Sequence, residues 1–237
     1  MLLKRLLVLI PLLLFCIVGT AQQNELRTLF LAKFDFNSDW RGSLDGGYYR
    51  GLNGSGWDRY GIRAIAQRRL NSKVQFDAGF MFNHVNNHDG THTNEYRPHQ
   101  TVKLAYPRFS RMTINHRFRL EEQIIYRSST EKTQMTSRFR YELKTKRAFN
   151  LEKFIQPKTF YWIASSEITF NFTGHIKGEY NFFERGRHGL GVGYRVNTNT
   201  SVESTAYFQH THKGIDFHDH SDLFIFNFCI VQSIFVN

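Results

Sequence analysis

The chain is short of cysteine and proline, with two Cys and four Pro in 237 residues. Cys16 lies inside an apolar N-terminal stretch, so Cys229 stands alone in the remainder. A lone cysteine excludes an intramolecular disulfide, and with it a disulfide-stapled scaffold. Beyond Gln22 no apolar run reaches the length that spans a bilayer as a helix, which excludes a transmembrane helix. Linkers, low-complexity tracts and fixed-period repeats are also missing, so residues 22–237 read as one domain. What is abundant is aromatic: 23 Phe, 11 Tyr and 3 Trp, a load that favours strands.

Residues 1–21 read as a cleaved signal peptide. Lys4 and Arg5 form a basic start, Leu6 to Val18 an apolar segment, and Gly19 and Ala21 occupy the small-residue positions of a cleavage site. A lipoprotein anchored through Cys16 is the alternative, but Phe15 stands where that processing wants a small side chain. Losing the leader's two cations takes the formal net charge from +11 to +9. A basic exported chain meets anionic lipid or lipopolysaccharide, or carries a solvated surface. Nucleic acid is not an expected partner, because no recognition motif is present.

The dominant pattern has period two. From 112 to 126 the even positions read Met, Ile, His, Phe, Leu, Glu, Ile, Tyr, while the odd positions from 113 to 123 are all polar. Similar faces recur as Val74, Phe76, Ala78, Phe80 and Phe82, and as Phe160, Trp162, Ala164, Ile168, Phe170 and Phe172. Leu190, Val192 and Tyr194 lie opposite Arg187, three glycines and Arg195, and Phe224, Phe226, Phe228 and Ile230 share a face near the C-terminus. A soluble sandwich would turn these faces inward. Long strands, crowded aromatics and charge patterns that match between neighbours favour the inverse arrangement. The expected fold is all-β, an antiparallel up-and-down transmembrane barrel with a charged Arg/Glu-lined lumen.

Strands are expected over 41–50, 58–69, 73–83, 95–106, 112–127, 135–147, 158–172, 185–196, 200–211 and 221–233. That makes about ten strands, with five longer loops and four shorter connections. The alternating stretch 25–37 either extends the first strand or adds a segment. Because bacterial barrels have even counts, twelve strands is the alternative.

The polar faces carry a ladder of charge. Arg117, Arg119 and Glu121 on one strand are matched by Arg138, Arg140 and Glu142 on the next. One register sets Glu121 opposite Arg140 and Arg119 opposite Glu142. Another sets Glu121 opposite Arg138 and Arg117 opposite Glu142. Further hairpins allow Arg63 with Asp77, Glu167 with Arg187, and Arg195 with Glu203. Such pairs would plug a narrow lumen, or line an anion-selective constriction. Gly189, Gly191 and Gly193 leave volume open or make room for a neighbour's arginine.

"NHRFRLEEQ", "SRFRYEL", "SSEITFNF", "ERGRHGLGVGYRVN" and "TSVESTAYFQH" together resemble the domain of unknown function 2490 family, over roughly 40–212. The resemblance implies an exported, outer-membrane-type barrel of a Gram-negative bacterium. It places Arg117, Arg119, Glu121, Arg138, Arg140, Glu167, Arg187, Gly191, Tyr194 and Arg195 at recurrent family positions and implies no activity. Such a barrel would partner with outer-membrane lipid and lipopolysaccharide, and with the assembly machinery during biogenesis. That machinery reads a terminal aromatic, a place Phe235 takes two positions early in "SIFVN".

Histidines gather at two expected loops: His84, His88, His92 and His99 at one, and His210, His212, His218 and His220 at the other, with Asp216, Asp219 and Asp222. These side chains suit zinc or copper, although no ligand signature is complete and no cofactor is expected. Asp216, His218 and Asp219 could supply the base of a rim hydrolase or protease, but no hydrolase motif accompanies them. The favoured function is a non-enzymatic envelope barrel, structural or ligand-binding. The alternatives are a narrow anion pore and a rim-site enzyme.

Overall fold

The computed structural model describes residues 23–52, 56–106, 111–150, 156–173, 182–212 and 220–236. The expected signal peptide lies outside them. Eleven strands follow one another: β1 (Gln23–Asp35), β2 (Trp40–Gly51), β3 (Asp58–Arg69), β4 (Val74–Asn86), β5 (His92–Ala105), β6 (Met112–Arg127), β7 (Lys132–Ala148), β8 (Thr159–Asn171), β9 (Phe183–Arg195), β10 (Thr200–His212) and β11 (His220–Phe235). Consecutive strands pair antiparallel, and β1 closes the barrel on β11.

All ten expected strands are present, with ends moved by a few residues, but the count is eleven rather than ten or twelve. The ambiguous stretch 25–37 supplies most of β1 and is a full strand. An odd count leaves the first and last strands pointing the same way. Their edges therefore join in parallel, one to one from Gln23↔Leu223 to Asp35↔Phe235. Closure needs every edge to be paired, and a parallel ladder meets that need as an antiparallel one does. Evenness is a habit of one group of barrels and not a condition of closure. The extra strand also changes the connections: there are five at each end, not five and four.

Three turns at one end share a device. Asn37 Oδ1 accepts from the backbone N–H groups of Asp39 and Trp40, Asn71 Oδ1 from those of Lys73 and Val74, and Asn197 Oδ1 from those of Asn199 and Thr200, all at 2.7–2.9 Å. A short amide side chain that mimics a backbone turn is what selects asparagine there. At the other edge of the same logic, the β5–β6 ladder skips Arg97 and Pro98, because proline has no N–H to give.

The barrel is inverted relative to a soluble domain. Leu190 and Leu120 point outward, 67% and 55% exposed, whereas Glu121 and Arg138 point inward, 3% and 2% exposed. Outward aromatics pair across strands, as Phe160 with Tyr194 (ring centroids 4.4 Å) and Phe118 with Tyr141 (5.1 Å). The inner glycines of β9 make room, but for tyrosines and not for arginine. A Cβ at Gly193 would overlap the Tyr161 ring, and one at Gly189 the Tyr207 ring.

The closing pair can be tested through the lone cysteine. Leu29 of β1 is the Cα partner of Cys229 of β11. In a chain lacking residues 1–21, Leu29→Cys should form a disulfide with Cys229 on oxidation, visible as a shift on a non-reducing gel. A ten-stranded barrel closed by β2 would give no such bond.

Candidate functional site

The inward charges converge on the wall formed by β6 to β9. Of the two registers allowed by the pattern, the second is the one adopted: Glu121 is opposite Arg138 and Arg117 opposite Glu142. That register also sets Arg119 opposite Arg140, and across the next interface Glu142 opposite Glu167. Like charges directly opposite are unfavourable, so the arms reach along the diagonals instead. Arg140 Nη1 donates to Glu121 Oε2 (3.0 Å) and its Nη2 to Glu167 Oε1 (2.7 Å). Arg138 also donates to Glu121. Arg117 Nη2 bridges Glu167 Oε2 (2.7 Å) and Glu142 Oε2 (3.2 Å).

A bulge adds a carboxylate that alternation does not reveal. The β8–β9 register shifts between Thr169 and Phe170, so that Thr169 pairs with Arg185 and Phe170 with Phe183. Glu184 is the extra residue, and the shift turns it inward, Arg138 Nη1 to Glu184 Oε1 3.2 Å. Counting strictly by twos from Arg187 puts position 184 outside, so alternation alone does not find it.

Other expected pairs are rearranged. Arg63 pairs with Asp45 (2.8 Å) and not with Asp77, because Met81 is its partner on β4. Asp77 is held by Lys103 (2.5 Å). Glu167 and Arg187 are Cα partners, yet the Glu167 oxygens are taken by Arg140 and Arg117, and Arg187 Nε donates to Gln209 Oε1 (2.9 Å). Arg195 lies opposite Ser201, and Glu203 lies opposite Gly193. Glu203 accepts from Lys146 and from the Tyr161 hydroxyl (2.8 Å). Lys146 of β7 reaches Glu203 of β10 over the Tyr161 ring, 5.3 Å from its centroid.

Two smaller clusters draw members from other strands, which alternation along one strand does not reveal. Glu25 gathers Arg27 (2.9 Å) and Arg59 (2.8 Å), with Arg59 over the Tyr49 ring at 4.1 Å. Glu95 gathers Arg97 (2.6 Å), Asn83 (2.9 Å) and Gln123.

The histidines do not form one centre. His84 Nδ1 bonds Asn94 Oδ1 (2.7 Å), and its ring stacks on His92 with centroids 5.6 Å apart. His88 belongs to the 87–91 loop, whereas His99 is inside the barrel, 4% exposed. His210 Nδ1 lies 2.7 Å from Asp222 Oδ1, and the His210 and His212 rings are 4.9 Å apart. Asp216, His218 and Asp219 lie outside the described residues, and so does the side chain of His220. Among the described residues no three His, Cys, Asp or Glu form a group able to hold a metal. Nearby in chemistry but not in place, Ser166 Oγ lies 3.1 Å from His188 Nδ1 on the outer wall, beside an apolar groove of about 380 Å³. Among the described residues no carboxylate pairs with that imidazole.

The geometry defines a class: a closed, inside-out β-barrel whose interior is knitted by shared Arg–Glu pairs. A family model described as "Protein of unknown function (DUF2490)" matches residues 28–217, and the chain belongs to that family. No curated protein matches it significantly.

The network predicts unequal costs for its arginines. Arg140→Ala removes the bridge between Glu121 and Glu167 and should cost on the order of 3–5 kcal/mol, the penalty for breaking a buried pair. Arg119→Ala leaves Glu121 bonded to Arg138 and Arg140, and should cost less than about 1 kcal/mol. Urea midpoints of the folded barrel distinguish the two.

Proposed function

We propose that this chain is an outer-membrane barrel, exported by a signal peptide over residues 1–21, with a lumen closed by its charge network and no catalytic role. The observation that carries this reading is the outward face. A contiguous belt of exposed aliphatic and aromatic side chains is far larger than a water-facing monomer maintains. Hydrocarbon accepts such a belt, and a closed ladder leaves no backbone group unsatisfied within it. Lipid and lipopolysaccharide are then the partners of the outer wall, and the assembly machinery reads the exposed Phe235 at the end of β11.

Closure of the lumen is supported by burial of the guanidinium groups at its centre, where Arg119, Arg138 and Arg140 are each less than a tenth exposed. An anion-selective pore is the second reading, favoured by an excess of cations over carboxylates on the inner wall. The loops at either rim would then serve structural or ligand-binding roles.

Two measurements test the proposal. In outer-membrane fractions the unboiled protein should migrate faster on a gel than the boiled protein. In planar bilayers it should carry no steady current. A soluble periplasmic protein without a fast-migrating form would overturn the membrane assignment, whereas an anion-selective current would replace closure with the pore.

A further inference from the structure

The outer wall departs from its own pattern half-way along β8 and β9. The outward positions Ala164 and Ser166 of β8 and Ala206 of β10 are small there, and the apolar groove opens over them. Leu143 and Phe208 line it too, and Leu190 projects beside them. The groove also holds a polar pair. Ser166 and His188 are Cα partners, next to the strand midpoints at Ser165 and Gly189, and they are joined by the Oγ–Nδ1 contact of 3.1 Å. Among the described residues nothing else bonds either side chain. A Cβ at Gly186 would lie 3.6 Å from His188 Nε2, so that glycine leaves the nitrogen uncovered. Whichever group donates in the Ser166–His188 bond, one donor and one acceptor remain. Either Nε2–H and an Oγ lone pair face out, or Oγ–H and the bare Nε2 do.

We infer that this groove is the interface at which two copies of the chain pair in the membrane, about a two-fold axis along the bilayer normal. The inference rests on the membrane reading proposed above. Acyl tails at the middle of a bilayer carry no hydrogen-bonding groups, so a lipid in the groove leaves the donor and the acceptor unsatisfied. A second copy inserted the same way brings the same two groups to the same depth. An isologous contact then sets the donor of each protomer against the acceptor of its partner. Small residues let the two walls approach closely, and serine and histidine bond across them, as they do between membrane helices. Leu190 of one protomer projects toward its partner's groove, where it fills space that Ala164 and Ala206 leave open.

The test is sedimentation equilibrium of the folded mature chain in density-matched detergent micelles. The wild-type chain should sediment as a dimer. His188→Leu should weaken self-association about tenfold, through loss of the two bonds related by the axis. Ala206→Phe, which fills the groove, should weaken it at least as much. Ile62→Ala, at an outward position of β3, should leave it unchanged. A faster-migrating unboiled form shows that each barrel has folded. If the groove variants do not fold, oxidation in phospholipid vesicles decides. With Cys229→Ser removing the native thiol, Ala164→Cys should give a disulfide-linked dimer and Ile62→Cys none, and equal linkage at both positions, or none at either, would overturn the interface. A folded wild-type monomer, bare or carrying a retained phospholipid, would overturn the interface and leave the membrane reading standing. A dimer equally tight in both groove variants would do the same. A water-soluble chain without the fast-migrating form would instead refute the membrane reading, and with it the shared depth on which the pairing depends.

Discussion

Glu121 receives guanidinium groups from two positions of β7, and the lumen is arranged around that shared carboxylate. A charge buried in a narrow barrel must be compensated by neighbours, because little water reaches it. Arg140 extends the compensation to Glu167, and Arg117 carries it on to Glu142. Three strands are thereby tied by side chains as well as by their backbone ladders. The register of the β6–β7 hairpin follows from the same demand. A slip by one residue would turn this whole set of charges outward and the aromatic face inward.

Two local irregularities serve this interior. The β9 bulge brings Glu184 in to meet Arg138, which Glu121 alone would leave sharing its acid with Arg140. The glycines of β9 let Tyr161 and Tyr207 lie across the wall. Bulges that re-aim a side chain, and glycines where another group approaches closely, are what irregular positions in a sheet commonly provide. On the outer face, by contrast, most large side chains are apolar and exposed.

Closure by a parallel pair sets the start of β1 and the finish of β11 apart: Gln23 lies at the end of the barrel bearing the β2–β3 connection, and Phe235 at the other. The cation excess of the inner wall is likewise a property of the closed ring, since it is summed over strands far apart in sequence.

Much of the architecture was legible in the chain itself. Period-two alternation over long segments identified ten strands, which face of each is apolar, and the two possible registers of the β6–β7 hairpin, because side-chain direction in a strand depends on parity alone. The eleventh strand was visible as alternation but not as a strand, since a rule about even counts outweighed it. Tertiary structure decided what parity cannot express. It decided which diagonal an arginine takes, as when Arg63 chose Asp45 over Asp77. It decided that Glu184 faces inward, because a bulge resets parity without a mark in the sequence. It also brought Glu25 beside Arg59, because the two stand on β1 and β3, which are neighbours only across β2.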